Sequence, residues 1–392
     1  MKSDFFKYQA QTTPHPIGME ISHASGSYVY DSNNTAHLDF VSGVSACPLG
    51  HNHPKVVQAI KNQLDRYMHV MVYGEYIQEP AVQLTKLLAK NLPSHLEKTY
   101  LTNSGTEAIE GAIKLAKRAT GRSEVIAAKQ AYHGNTMGAM SVMGFEERKQ
   151  AFRPLIPHVR FIEFNNKTDL EHITQNTACI ILETIQGGAG FIEPKDGYLE
   201  AVRSRCDQTG TLLILDEIQP GIGRTGKLFG FEHYNCAPDI LVTGKGLGGG
   251  MPIGAFTASS VLMDSLQNHP KLGHITTFGG HPVIAAAALA TLQEITNSDL
   301  MAQSLEKEKL FRKQLKHPLI KEIRGIGLML ALIMPSKAIA DQLIIEAQKH
   351  GLILFWLLFE TRAVRITPPL TITNEEITKG CGIIIDILNN IE

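Results

Sequence analysis

The chain of 392 residues has almost no net charge, a single tryptophan, no closely paired cysteines and no long apolar run. Each shortage removes a class of function. With 37 basic and 38 acidic residues the formal charge is -1, whereas nucleic-acid and membrane-surface proteins ordinarily carry a basic patch. The five cysteines (Cys47, Cys179, Cys206, Cys236 and Cys381) are scattered without a CxxC pair, which argues for reduced thiols and against a disulfide framework or a zinc site. The opening, MKSDFFKYQAQTTPHP, has no apolar signal core. The longest apolar run near the other end, Leu352 to Phe359, is far too short to span a bilayer. These absences predict a soluble cytoplasmic protein with neither nucleic acid nor membrane as a partner.

What is present is the composition of a globular protein, 43% apolar and long enough for two domains, with no internal repeat or low-complexity linker. Residues 19 to 41 alternate apolar and polar around turn signals (GSYVYDSNNTAHLDF), as a small antiparallel hairpin does. From about residue 54 to 285, helical patterns such as HPKVVQAIKNQLDRYM alternate with short apolar runs: KTYLTN, EVIAAK, ACIILE and TLLILDE. That alternation predicts an α/β fold, a mostly parallel sheet with helices on both faces. After about residue 286 the parallel series stops and long helices mix with strand-like pieces. The expected organisation is a large domain over 49–285 and a small α+β domain over 286–392, joined by the segment 1–48.

Chemistry concentrates between Leu212 and Gly254. One apolar run ends in Asp216 and the next, DILVTGK, ends in Lys245 ahead of a run of glycines. In open α/β sheets ligands gather at the carboxyl ends of the strands. A lysine desolvated there can have a lowered pKa and form Schiff bases, and an acid beside it can pair with a pyridinium nitrogen. Two glycine patterns in this window mislead. Gly244, Gly246 and Gly249 spell G-x-G-x-x-G, but Met251 and Pro252 follow where a dinucleotide turn needs a helix. GIGRTGKL resembles a P-loop, yet its last position is Leu228, which has no hydroxyl for magnesium.

A second constellation lies upstream. Asn103-Ser104-Gly105-Thr106-Glu107 follows one strand and opens the helix EAIEGAIKLAKRA, with Ser104 and Glu107 spaced as a capping box. Gly105 lets backbone N–H groups approach a ligand, and a helix start of this kind suits a phosphate. Tyr132-His133-Gly134 follows another strand, where an aromatic can stack on a flat ring. Thr276 and Thr277 supply a hydroxyl pair beside Gly279 and Gly280. Each of these has a plain structural explanation alone; their order, with Asp216 and Lys245, is what carries information. His51-x-His53 has metal-like spacing but no evident third ligand, and Trp356 with its apolar neighbours reads as core.

Taken together, LGHNHP (Leu49 to Pro54), NSGTEAIE, YHG, DEIQPGIGRTGKLFGFE, GKGLGGGMPIGA and TTFGGHP resemble the class III pyridoxal-phosphate (PLP) aminotransferases. The similarity runs from Tyr28 through Pro369 and is to the subgroup containing acetylornithine and ornithine aminotransferases. The resemblance implies a homodimer of fold-type I subunits with active sites at their interface. It implies PLP as cofactor, and an amino donor and a 2-oxo acid, 2-oxoglutarate being the expected acceptor, as small-molecule partners. Lys245 would bind the cofactor covalently and move the proton at the substrate Cα, with Asp216 on the pyridine nitrogen and Gln219 on the phenolic oxygen. Gly105, Thr106 and nearby Ser104 would hold the phosphate, Thr277 would reach the phosphate of the neighbouring subunit, and Tyr132, beside His133, would stack on the ring. Glu183 would stand behind these groups. Arg365 matches the arginine that receives a substrate carboxylate, with Thr276 and Asn135 as further substrate contacts.

Departures from the subgroup bear on the substrate. Asn135 stands where ornithine-type enzymes carry an arginine, Gly188 stands where they carry a glutamate, and Thr184 replaces the usual proline. Without that acid Arg365 should stay ready for a carboxylate in both half-reactions, so the donor either brings a carboxylate to Arg365 or is an ω-amine recognised by other contacts. A decarboxylating transaminase, an aminomutase, or a PLP-binding protein without turnover would use the same motifs.

Overall fold

The computed structural model describes residues 1–391. After a short helix, Lys2–Tyr8, come three strands, β1 (Ile21–Ser25), β2 (Tyr28–Asp31) and β3 (Ala36–Asp39), paired antiparallel in sequence order. The central strands are β4 (Lys98–Thr102), β5 (Glu124–Ala128), β6 (Val159–Ile162), β7 (Thr177–Glu183), β8 (Leu212–Asp216), β9 (Ile240–Gly244) and β10 (Gly254–Ala258). They form one sheet in the order β4-β10-β9-β8-β7-β5-β6. Its core from β9 to β6 is parallel, and β10 lies antiparallel between β4 and β9. Every residue of β7, β9 and β10 is buried, as expected of strands covered on both faces.

The helix Gly105–Thr120 shows how local sequence fixes an element. Ser104 caps it by accepting the Glu107 N–H, and Gly121, with φ 67°, ends it in the left-handed conformation that glycine adopts without a Cβ clash. Its buried face includes Ile109, Ala112, Ile113 and Ala116. Gly111 lets it sit close on β10, since a Cβ there would lie 2.3 Å from Cε1 of Phe256. The helices Pro54–Arg66 and Glu79–Lys90 pack on Pro282–Thr296, the first of them braced by Lys55–Glu294.

The remaining strands are β11 (Glu322–Ile326), β12 (Met329–Ile333), β13 (Leu352–Ile353), β14 (Phe355–Trp356) and β15 (Ala363–Ile366). A second sheet runs β11-β12-β15-β14, all antiparallel. β13 instead joins the first sheet, parallel to β3, with Leu352 opposite Leu38. The residues read as a hairpin at 19–41 are thus a three-stranded antiparallel unit whose fourth strand comes from far along the chain.

Two polar clusters tie these parts together. Ser42, Gly43, Val44 and Ser45 all have positive φ, between 47° and 66°, a handedness that costs L-residues roughly 1–2 kcal/mol each. Asp39 offsets this by accepting the N–H groups of Val41 (2.7 Å) and Ser42 (3.0 Å), and it also pairs with His51 at 2.8 Å. The second cluster is Arg224, whose fully buried guanidinium donates to the carbonyls of Leu328 and Pro368. The GIGRTGKL segment is therefore a structural tie and not a nucleotide loop. Among the described residues no helix is long and apolar enough to cross a membrane, and no group of three or more His, Cys, Asp or Glu side chains is arranged to hold a metal. All five cysteines are free thiols.

Candidate active site

A cavity of about 520 Å³ opens where the parallel strands end. It is lined by Gly105, Thr106, Tyr132, His133, Asn135, Asp216, Gln219, Lys245 and Arg365, all singled out from sequence, and by Glu183 and Gly188. Three other expected site residues lie elsewhere in this single chain. Ser104 caps its helix, Thr276 accepts the Gly279 N–H at 2.9 Å, and Thr277 is exposed.

Asp216 ends β8, and its two oxygens are positioned separately. Oδ2 pairs with Nδ1 of buried His133 at 2.7 Å, and Oδ1 accepts the Ile218 N–H at 2.9 Å. Lys245 begins the tight turn that follows β9 and has φ 40°, a strained value for a side-chain-bearing residue. Burial, reinforced by repulsion from Arg365 and opposed by Asp216 and Glu183, lowers its pKa to about 8. Such an amine is half neutral near pH 8 and mostly neutral above it, which suits a nucleophile or a proton carrier. Gln219 presents a buried Nε2 with no hydrogen-bond partner, an expensive omission unless something in the cavity accepts from it.

Glu183 accepts the N–H groups of Tyr132 (3.0 Å) and Gly187 (2.8 Å) and so ties the aromatic turn to the end of β7; burial pushes its pKa up to about 7. Thr184 has a role of its own. Its hydroxyl donates to buried Glu217 at 2.6 Å, alongside the Gly230 and Phe231 N–H groups, and Glu217 too is pushed up to about 7 by burial against those bonds. Proline at 184 would supply no such donor.

Beside Gly105, the helix N-terminus faces the cavity. The Gly105 and Thr106 N–H groups have no intrahelical acceptor, and the Thr106 hydroxyl pairs with that of Thr136 at 2.7 Å. Gly134, with φ 130°, makes the close turn possible: a Cβ there would sit 2.3 Å from Oγ1 of Thr106.

Arg365 projects from β15. It is 4% exposed, its side chain makes no hydrogen bond or ion pair among the described residues, and Nε and Nη1 are buried without partners. Its guanidinium carbon lies 5.5 Å from the Phe191 ring centroid, and burial lowers its pKa to about 10. An unpaired buried cation is costly, and an incoming anion relieves that cost.

Sequence reasoning missed part of the wall. Trp356, read as core, does pack against the core but also lines the cavity with Phe355, Leu358 and Val44. Its indole N–H donates to Asp341 at 2.7 Å. No periodicity distinguishes a two-residue strand at a cavity from one in a core; the pairing of β14 with β15, which sets Phe355 opposite Arg365, decides it.

The class-III aminotransferase family model matches residues 8–388. An acetylornithine aminotransferase of Caldanaerobacter subterraneus subsp. tengcongensis is 39% identical over 378 residues, 93% of each chain. A putrescine aminotransferase of Pectobacterium atrosepticum is 37% identical, covering 99% of this chain and 86% of its own. Among solved structures, an ornithine aminotransferase from Toxoplasma gondii, with partial occupancy of PLP at its active site, superposes with a TM-score of 0.90. It is 30% identical to this chain and the superposition covers 100% of this chain and 95% of that one. The residues present fit the cofactor: a carboxylate fixed at a strand end, an unpartnered amide donor, a half-buried lysine and free N–H groups at a glycine-opened helix. This chain belongs to the class-III aminotransferases, PLP-dependent enzymes that move an amino group to a 2-oxo acid.

Proposed function

We propose that this enzyme takes an amino group from a carboxylate-bearing amine and delivers it to a 2-oxo acid, with Lys245, Asp216 and Arg365 as the principal groups. The observation that carries this reading is their presence on one cavity, with Arg365 buried and unpaired. When bound there, PLP supplies an electron sink that no side chain can provide. Asp216, held by His133 and the Ile218 N–H, keeps the ring nitrogen protonated. Gln219 donates its free Nε2 hydrogen to the phenolic oxygen. The Gly105 and Thr106 N–H groups hold the phosphate, with Ser104 fixing the helix that presents them, and Tyr132 covers the ring. Lys245 anchors the cofactor and carries the proton at the donor's Cα, a task suited to an amine whose pKa is about 8. Arg365 orients the donor through two parallel N–H···O bonds to its carboxylate, while Asn135, on the same cavity, stands by for a further contact.

The working unit in this reading is a homodimer in which Thr277, exposed in the single chain, meets the phosphate held by the other copy. Reduced thiols fit the cytoplasm, and the large domain over 49–285 carries the cofactor. A single-turnover screen tests the chemistry: cofactor-loaded enzyme mixed with carboxylate-bearing amines should lose the cofactor's visible absorbance and release the carbonyl compound left by the donor. Lys245→Ala should abolish this. Carbon dioxide release, or an aminated isomer without oxo acid, would overturn the proposal in favour of a lyase or a mutase. A Lys245→Ala variant as active as wild type would remove the basis of the assignment.

A further inference from the structure

Arg148 stands at the rim of the cavity on a braced mount. It ends the short turn Glu146–Arg148, and both flanks of that turn are fixed. On one side Phe145 stacks on Phe359 with ring centroids 4.7 Å apart. On the other the Lys149 side chain is buried, its ammonium donating to the Met143 carbonyl at 2.7 Å and lying 4.0 Å from the Phe161 ring centroid. Within the turn Glu146 is committed to Arg153, whose Nε and Nη2 both donate to it at 2.9 Å.

From that mount Arg148 reaches the cavity wall. Its Nη2 donates to the Leu358 carbonyl at 3.3 Å, and its guanidinium carbon lies 5.8 Å from the Phe359 ring centroid. Leu358 lines the cavity, as does Gly188, whose carbonyl accepts the Phe359 N–H at 2.9 Å. Burial raises the pKa of the Tyr132 hydroxyl and the Arg148 charge opposes that rise, so the guanidinium acts on a second lining residue. The bond to Leu358 occupies one of the five N–H donors that a guanidinium carries. Where ornithine-type enzymes have an arginine this chain has neutral Asn135; Arg148 brings a cation to the same cavity from another loop. Phe355, opposite Arg365 in the β14–β15 pair, is three residues before Leu358, at most about 11 Å of extended chain. Two arginines therefore flank one short stretch of wall.

We infer that Arg148 determines the choice of acceptor: it receives the far carboxylate of a dicarboxylic 2-oxo acid, and of the amino acid made from it, while Arg365 holds the carboxylate beside the reacting carbon. This rests on the aminotransferase reading and adds the residue that selects the substrate. A planar fork of donors suits that carboxylate, and the fixed flanks lower the entropy lost in holding the fork there.

Unreactive ligands of the holoenzyme separate recognition from turnover. Glutarate and pentanoate match in length and differ in the far carboxylate. Followed by the cofactor's visible band, wild type should bind glutarate at least tenfold more tightly. Arg148→Gln should shrink that ratio at least tenfold, and Arg148→Lys, which keeps the charge, should retain part of it. Added salt should weaken the preference of wild type and not that of Arg148→Gln. In steady state Arg148→Gln should lose at least tenfold in preference for 2-oxoglutarate over 2-oxopentanoate, mainly through KM. An unchanged preference, or an equal loss for both ligands as a purely structural role would give, would overturn the inference and leave the aminotransferase reading standing. Sedimentation in which Arg148→Gln alone fails to self-associate would assign Arg148 to the contact between copies and overturn it too. Failure of every 2-oxo acid to accept an amino group would overturn that reading and this one with it.

Discussion

At the scale of single residues, Lys245 combines two unfavourable conditions, a strained backbone angle and a desolvated charge. Its lowered pKa makes the attachment of PLP to the apoenzyme pH-dependent with a definite sign. Below pH 8 the lysine is mostly protonated and unreactive; above it the neutral amine predominates. The rate of attachment should therefore rise about tenfold per unit at low pH and level off above about pH 8, as followed by the cofactor's visible band from pH 6 to 10. Arg365→Met removes a repulsion that helps to lower this pKa, so the same curve should move to higher pH. A profile that keeps rising to pH 10 without levelling off would mean that Lys245 keeps an ordinary amine. Lys245 and Asp216 were legible in the sequence because a polar residue ending an apolar strand run has few placements in an α/β sheet. Trp356 was not, because an aromatic beside a cavity and one inside a core have the same neighbours along the chain. The pairing of Thr184 with Glu217 was hidden for a related reason: the acid lies on a different strand end, brought near only by sheet order.

At the scale of elements, the short apolar runs announced β4, β5, β7, β8 and β9, and their alternation with helices announced the parallel core. The placement of β10 was not announced. GAFTA follows the glycine run so closely that nothing local says it turns back and inserts antiparallel between β4 and β9. That insertion matters to the site, since Gly254 at its start abuts the turn into the Gly105 helix. A Cβ on Gly254 would lie 2.0 Å from the Ser104 carbonyl oxygen, and backbone cannot yield as a flexible side chain can. Gly254→Ala should thus displace the phosphate-facing N–H groups and weaken PLP binding by about tenfold or more, roughly 1.4 kcal/mol, with helix content little changed. Equilibrium dialysis of the cofactor would check it, and unaltered affinity would show that the turn does not depend on β10.

At the scale of the whole molecule, the cavity is built from segments far apart in the chain, and buried polar ties hold them in register. Arg224 is one of these, joining the loop after Asp216 to the start of β12 and to Pro368, just beyond Arg365. Arg224→Ala leaves both carbonyls unpaired and a cavity behind, which should cost on the order of 3 kcal/mol in urea unfolding. The donor's KM should rise as the seat of Arg365 loosens. Stability and KM both unchanged would show the tie to be redundant. The sequence made the motif conspicuous, and Leu228 told against a phosphate loop; only the three-dimensional structure reveals its bonds to distant carbonyls.

The pairing of β3 with β13 carries a further consequence, for the order of events on the ribosome. Leu38 emerges well before the whole central sheet and its partner Leu352 only well after it. The residues that face the donor, from Phe355 to Arg365, follow directly after β13. A nascent chain can fold much of its central sheet and yet possess no carboxylate seat until translation has passed Arg365. Synthesis itself thus acts as a timer: no half-made copy can bind a donor at Arg365, and the first sheet closes only as the pocket is finished.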